Sequence, residues 1–320
     1  MLAEHTTKCF KGLGGLGVCL FFSLSGFFLI KPFIKDSNRI LSSDYMAGFI
    51  VRRIMRILPM YGIYLFVVYF LAFRFDTFFR HLFFLQGDKH LWTMPQEMFF
   101  YLLIPLILLV FHLLRKINIW FAIVFFPILM GLAHSQIIQV NIIHNATLAM
   151  DISANIGIFL GGMLAALLFS ELYNERNKQL LQRSSSFFGI CGIFLLLGFS
   201  LLSTGVFGTK VYALSYPFYY DFLALGLILC VVLSEGTLFN RFLASTFLRA
   251  VGLVSFSFYL VHFLIMKLVR SFAMSYFGVT LNEIVLMIIV GIVSYFISVF
   301  TYSYIERPCI YSRITGKTSG

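Results

Sequence analysis

The sequence is short of charge. Only 12% of its 320 residues are Asp, Glu, Lys or Arg, whereas soluble domains carry about 25% charged residues. Hydrophobic residues make up 60% of the chain, and 40 of them are Phe in long apolar runs. This composition disfavours a soluble core and predicts an integral membrane protein.

Paired cysteine spacings are also missing. The chain contains no CxxC motif among its five cysteines, which are Cys9, Cys19, Cys191, Cys230 and Cys309. Cys19, Cys191 and Cys230 lie inside apolar runs, where a thiol behaves as a small hydrophobe. We therefore predict neither a disulfide framework nor a metal site. Residues 1–10 lack the apolar stretch of a signal peptide.

The net charge of +11 has two interpretations. A nucleic-acid partner is one, but membrane proteins also concentrate Lys and Arg in their cytoplasmic loops. The distribution favours the second, because one set of alternate loops and the C-terminal tail contain 16 of the 24 basic residues. We predict no nucleic-acid partner, a cytoplasmic C-terminus and outward-facing residues 1–12.

Apolar runs long enough to cross a bilayer, about 20 residues each, define an all-α polytopic bundle with nine spans. They lie at 13–34, 54–73, 97–114, 118–136, 152–171, 187–204, 214–234, 248–269 and 283–303. The connecting segments are too short for a soluble domain. Residues 74–96 are too polar to span, and either lie in the interface or dip back into the protein.

Glu97 stands at the head of an apolar run, in LWTMPQEMFFYLL (91–103). One interpretation is a carboxylate stabilised by a helix N-terminus. The other is a carboxylate facing a polar cavity, with Tyr101 one turn further on the same face.

Three arginines, Arg52, Arg53 and Arg56, precede the second span within VRRIMRILPMY (51–61). Their spacing allows all three to share one side of a helix. Such a cluster is typical of topology-determining charge, and it is equally suited to bidentate binding of a phosphorylated ligand.

Three further stretches carry polar groups. Ser255, Tyr259 and His262 recur at helical spacing in an apolar span, and intramembrane polar residues of this kind often serve function. Ser25 lies mid-span in FFSLSGFFLI (21–30), where small residues usually permit close helix packing. His5 precedes the first span, and its imidazole could transfer protons, although it could equally be an inert terminal residue.

Taken together, these stretches resemble the acyltransferase-3 family of multi-pass membrane proteins. The segments that carry the resemblance are FFSLSGFFLI, RRIMRILPMY, LWTMPQEMFFYLLIPLIL, FLGGMLAALL, VSFSFYLVHF and SYFISVFTYSYIERP, in the family's order. The resemblance implies ten helices against the nine here, and His5 matches the family's proposed catalytic histidine. It also implies that the first helix is absent, and with it an arginine of the family's motif.

The resemblance implies an enzyme that moves an acyl group, commonly acetyl, from acyl-CoA in the cytoplasm to a hydroxyl of an extracytoplasmic glycan or lipid-linked sugar. His5 and Glu97 would be catalytic, and Arg52, Arg53 and Arg56 would bind the cofactor. The implied location is a bacterial cytoplasmic (inner) membrane, with the lipid bilayer and the sugar acceptor as partners. Channel-lining candidates are Ser25, Tyr101, Ser255, Tyr259 and His262.

We expect a truncated membrane acyltransferase domain over 1–308 and a short cytoplasmic tail over 309–320. Two other functions stay open: a transporter or flippase without covalent chemistry, and an inactive truncated copy. The sequence shows no repeated halves of the kind common in transporters.

Overall fold

The structure, a computed structural model, describes residues 13–134, 152–203 and 218–309, and these ranges contain helices and no strand. The predicted all-α class is therefore confirmed. The helices are α1 Leu13–Lys35, α2 Ser43–Leu65, α3 Phe75–Leu82, α4 Thr93–Ile117, α5 Ile119–His134, α6 Ile152–Leu172, α7 Lys178–Arg183, α8 Ser185–Ser203, α9 Tyr219–Leu233, α10 Leu238–Leu243, α11 Thr246–Leu253, α12 Ser255–Phe277 and α13 Glu283–Thr301. Short 3₁₀ segments cover Ser37–Leu41 and Lys89–Trp92, and π-helical turns at Phe66–Phe70 and Tyr302–Glu306 extend α2 and α13.

Seven helical spans among the described residues are long and apolar enough to cross a membrane, and α5 and α9 are shorter apolar helices. Each of the nine predicted spans thus overlaps one of these nine apolar helices. Their outward surfaces carry large apolar side chains, such as Leu102 and Phe296, which are 75% and 68% exposed. Exposed apolar area on this scale is suited to lipid rather than water.

Two predicted boundaries were wrong. Helix α2 begins at Ser43 rather than near residue 54, because its amphipathic first turns contain the arginines that a hydropathy criterion rejects. The span predicted at 248–269 is two helices, separated at Val254, whose ψ of 4° leaves the helical region. The Ser255 hydroxyl donates to the carbonyl of Gly252 at 2.8 Å beside this break, and α12 then continues to Phe277.

The chain divides into two compact units. The second unit contains Gly15–Met46 and Phe99–Ser245. Within it α1 and α6 approach so closely that a Cβ on Gly26 would lie 2.0 Å from the Phe159 carbonyl oxygen, and one on Gly162 would lie 1.8 Å from that of Ser23. These glycines let two apolar helices pack backbone to backbone, as is common in membranes.

The first unit contains Ala47–Met98 and the described residues from Thr246 onward. Its helices α12 and α13 form an antiparallel pair around Ile265, Met266, Leu286 and Val290. Gly278, with φ of 62°, ends α12 in the left-handed conformation that favours glycine. The side chain of Asn282 then accepts a hydrogen bond from the Ile284 N–H at 2.9 Å and caps α13.

Residues 74–96 fold back on the first unit rather than projecting from it. His81 of α3 is fully buried, its Nδ1 lies 2.8 Å from the carbonyl oxygen of Thr77, and its Nε2 accepts from the Asp88 N–H at 3.2 Å. Burial lowers the pKa of His81 below its usual value, although the Asp88 carboxylate 3.7 Å away favours the cation. The neutral ring therefore joins α3 to the segment that leads into α4.

Candidate functional site

An arginine-lined cavity of about 550 Å³ lies in the first unit, and we call it the arginine cavity. Arg52, Arg53 and Arg56 from α2 line it, so the structure brings the predicted cluster to one surface. It adds a fourth guanidinium, that of Arg249 from α11. Charge of one sign concentrated in a concave surface attracts polyanions.

The arginine cavity also contains one carboxylate, that of Glu306, which is only 5% exposed. The Ser257 hydroxyl donates to Glu306 Oε1, and Thr301 Oγ1 in turn donates to Ser257 Oγ at 2.9 Å. Arg56 interacts electrostatically with the same carboxylate. Glu306 is therefore a hydrogen-bonded carboxyl group within a mostly positive cavity.

A second polar group in this unit, which we call the histidine cluster, consists of His90, Thr93, Tyr259 and His262. The Tyr259 hydroxyl donates to the carbonyl of His90 and lies 2.8 Å from Thr93 Oγ1, which must then be the donor of that pair. The His90 and His262 rings lie 5.5 Å apart, and His262 Nδ1 lies 2.7 Å from the carbonyl oxygen of Tyr259. These contacts join the start of α4 to α12.

Helix α12 connects the two polar groups. Ser255 lines the arginine cavity, whereas Tyr259 and His262 belong to the histidine cluster. Seven residues of α-helix separate Ser255 from His262, a rise of about 10 Å. Polar side chains therefore follow α12 from the arginine cavity for two turns.

Glu97 is 3% exposed and lies one turn after Thr93 in α4, on the face that meets α12. It is close enough to Tyr259 for an electrostatic interaction. Because α4 begins at Thr93, Glu97 falls beyond the first helical turn, where the effect of the helix dipole has faded. This placement disfavours the first sequence interpretation, a carboxylate stabilised by a helix N-terminus, whereas the second, a carboxylate facing a polar cavity, stays a prediction.

Gln96, beside Glu97, is 2% exposed, and neither atom of its amide has a hydrogen-bond partner among the described residues. Buried polar groups in native proteins are nearly always paired. An orphaned amide next to a buried carboxylate is typical of a position that a ligand or water completes.

The other predicted site residues lie elsewhere. Tyr101 is 4% exposed and follows Glu97 by one turn in α4, and Ser25 is half-buried in α1 next to the close approach of α1 and α6. Neither lines the arginine cavity. His5 lies outside the described residues.

Sequence reasoning missed Arg249, His90 and Thr93. Arg249 was counted only as a topology-determining charge, and nothing in its spacing relates it to residues almost two hundred positions earlier. His90 and Thr93 flank LW in a segment too polar to span, and only their contacts with α12 give them significance. The polarity of 86–93 was the one available signal.

A His–Asp pair in the second unit was missed as well. His134 Nε2 at the end of α5 lies 2.8 Å from Oδ2 of Asp221 in α9, and Asp221 is fully buried. A Cβ on Gly157 of α6 would lie 2.2 Å from that same oxygen, so glycine is what leaves room for the pair. The pair joins α5 to α9 against α6.

Comparison with known proteins gives one match. A family model described as an acyltransferase domain matches residues 2–303. No curated protein and no solved structure is similar to the chain.

Proposed function

The chain belongs to the acyltransferase-3 family, and on that premise we propose that this multi-pass membrane acyltransferase takes its acyl group, acetyl in the first instance, from acyl-CoA. The acceptor in this proposal is a hydroxyl of an extracytoplasmic glycan or lipid-linked sugar. The observation that carries the proposal is the connection, along α12, between a four-arginine cavity and a buried polar cluster beside Glu97.

The arginine cavity is the proposed donor site. Coenzyme A carries phosphate groups, and guanidinium groups bind phosphate through paired, charge-assisted hydrogen bonds. A cavity of about 550 Å³ is within the size range of ordinary ligand sites. In the orientation favoured by the distribution of Lys and Arg, this end of the first unit faces the cytoplasm, and so does the C-terminus.

The acyl end of the donor would lie along α12 towards the histidine cluster. That direction offers hydroxyl and imidazole groups from Ser255, Tyr259 and His262 in place of guanidiniums. A thioester is neutral and needs no cationic partner there, whereas the phosphates would stay bound to the arginines.

In the chemical step, His5 acts as general base and takes the proton of the acceptor hydroxyl. The hydroxyl oxygen attacks the thioester carbonyl, the carbon–sulfur bond breaks, and coenzyme A leaves as a thiolate that recovers a proton. Glu97 orients the imidazole or the acceptor, and its charge stabilises the imidazolium that forms. A positioned base of this kind contributes about 10²–10⁴-fold to a rate.

The test uses the Glu97→Gln variant, which keeps the shape and most of the hydrogen-bonding capacity of the side chain but removes its charge. Acylation of surface glycans and glycolipids, measured as a base-labile mass increment, should disappear while the amount of protein in the membrane stays the same. The matched control is Glu283→Gln, because Glu283 is an exposed carboxylate at the start of α13. His5→Ala and an empty vector complete the set.

Full acylation by Glu97→Gln would exclude the proposed role of this carboxylate. Full acylation by His5→Ala would exclude the proposed base. If the unmodified chain produces no increment, whereas an established family member does so in the same cells, the proposed transfer to surface glycans is wrong for this chain.

A further inference from the structure

Arg249 is the one guanidinium of the arginine cavity that comes from a helix other than α2. It lies in α11, is exposed, and forms no hydrogen bond or ion pair with another residue of the described ranges. Arg53, by contrast, lies over the ring of Phe49 at 5.4 Å. Arg249 is therefore available to a ligand that enters the cavity.

The lining of the cavity contains four guanidinium groups and one carboxyl group. Glu306 is within electrostatic range of Arg56 and lines the same cavity. Arg52 and Arg53, which are adjacent on α2, line this cavity, and Arg249 faces it from α11. The Glu306 carboxyl group occupies its own part of the cavity, where it accepts a hydrogen bond from Ser257.

This arrangement provides two separate cationic positions rather than one. Adjacent arginines on one helix suit two linked phosphates, such as a pyrophosphate. A single arginine on another helix suits an isolated phosphate monoester, whose oxygens match the guanidinium fork. A ligand that carries both a pyrophosphate and a phosphate monoester could bind the arginines of both helices at once.

We propose that the arginine cavity recognises a ligand through two separate phosphate groups, with Arg52 and Arg53 binding a pyrophosphate and Arg249 binding a phosphate monoester. This inference rests on the proposed function, because coenzyme A carries a pyrophosphate and a ribose 3′-phosphate. It makes Arg249 the residue that distinguishes coenzyme A from its 3′-dephospho form.

The test measures binding of coenzyme A and 3′-dephospho-coenzyme A to the purified full chain in detergent. The native protein should bind the dephospho form about 10- to 100-fold more weakly, the range expected for losing charge-assisted hydrogen bonds. Arg249→Gln should weaken coenzyme A binding by a similar factor. It should also bind the two ligands with nearly equal affinity, because the two changes remove the same interaction.

Two further variants make the result specific. Arg249→Lys keeps the charge without the planar fork, and its preference for coenzyme A should lie between those of the native protein and Arg249→Gln. Arg241→Ala removes an exposed arginine of α10 that does not line the cavity, and it should retain the full preference.

Two outcomes would overturn the assignment of Arg249. One is a native protein that binds both ligands equally, and the other is an Arg249→Gln variant that weakens both by the same factor. If the native protein binds neither ligand, the proposed acyl-CoA donor fails, and the role of Arg249 fails with it. If the native protein binds coenzyme A and its 3′-dephospho form equally well, the role of Arg249 fails but the proposed acyl-CoA donor does not.

Discussion

Replacing Gln96 by Met should stabilise the protein and impair its activity at once. Gln96 is 2% exposed, and both polar atoms of its amide lack hydrogen-bond partners among the described residues. Each unpaired buried polar group costs about 1–3 kcal/mol. Methionine has a similar shape and adapts to irregular surroundings, so it removes that cost without leaving a cavity.

We expect the free energy of unfolding to rise by about 1–3 kcal/mol, the cost of at least one orphaned group. That gain corresponds to roughly a 5- to 150-fold shift in the ratio of folded to unfolded protein. If the amide binds substrate, acyl transfer should fall by about two- to tenfold, the contribution of one neutral hydrogen bond. Unfolding in mixed detergent micelles gives the first quantity, and glycan acylation gives the second.

The matched control is Gln86→Met. The Gln86 amide donates to Asp88 Oδ1 at 2.7 Å, so the same substitution there removes a hydrogen bond that is satisfied. It should lower stability by about 0.5–1.5 kcal/mol. Loss of stability in Gln96→Met would refute the reasoning, because it would mean that the amide is paired in the folded protein. A stabilised variant with full activity would place Gln96 outside the site.

Two other predictions concern the fold. Gly162→Ala would bring a Cβ to 1.8 Å from the Ser23 carbonyl oxygen, and we expect it to lower the free energy of unfolding in micelles by about 3 kcal/mol. Gly131→Ala, whose Cβ would have no atom within 4 Å, should instead raise the free energy of unfolding by up to about 1 kcal/mol. Equal effects of the two substitutions would contradict the close approach of α1 and α6. For His81, burial holds the folded-state pKa below its unfolded value of about 6.5, so its contribution to stability is present above about pH 6.5 and is lost as the pH falls towards the folded-state pKa. The protection of the amides of 75–88 from hydrogen exchange, relative to the intrinsic rate at each pH, should fall over that interval in the native protein and not in His81→Phe. Identical protection profiles in the two proteins would contradict the buried neutral ring.

The sequence predicted the helices well because lipid imposes a simple rule. Every backbone polar group must be satisfied within the membrane, so long apolar runs become helices whatever their neighbours are. The predicted boundaries of α2 and α12 were wrong because hydropathy alone does not determine where a helix begins. Arg52 and Arg53 lower the mean hydropathy of the first turns of α2 without interrupting the helix. The break at Val254 depends on local backbone conformation, which a hydropathy profile does not report.

The candidate site was only partly predictable. Arg52, Arg53 and Arg56 share one helix, so their spacing was enough to place them together. Arg249 and Glu306 join them only through the folding of the first unit. Arg115, counted as a topology-determining charge, proves to donate to the carbonyls of Phe33 and Ile34 at the end of α1, a contact that sequence spacing does not encode.

The order of polar groups along the first unit bears on the choice between the proposed donor site and a transport path. Four guanidiniums and the carboxyl group of Glu306 line the arginine cavity, whereas the histidine cluster consists of hydroxyl and imidazole groups beside Glu97. A phosphate that moved past the arginines would lose its paired guanidinium contacts, and an unpaired charge in a low-dielectric environment is costly. A carrier of phosphorylated glycans would need cationic groups along its whole path. The proposed ligand, a neutral acyl thioester anchored by its phosphates, needs cationic groups only at one end, where the four arginines of the cavity lie.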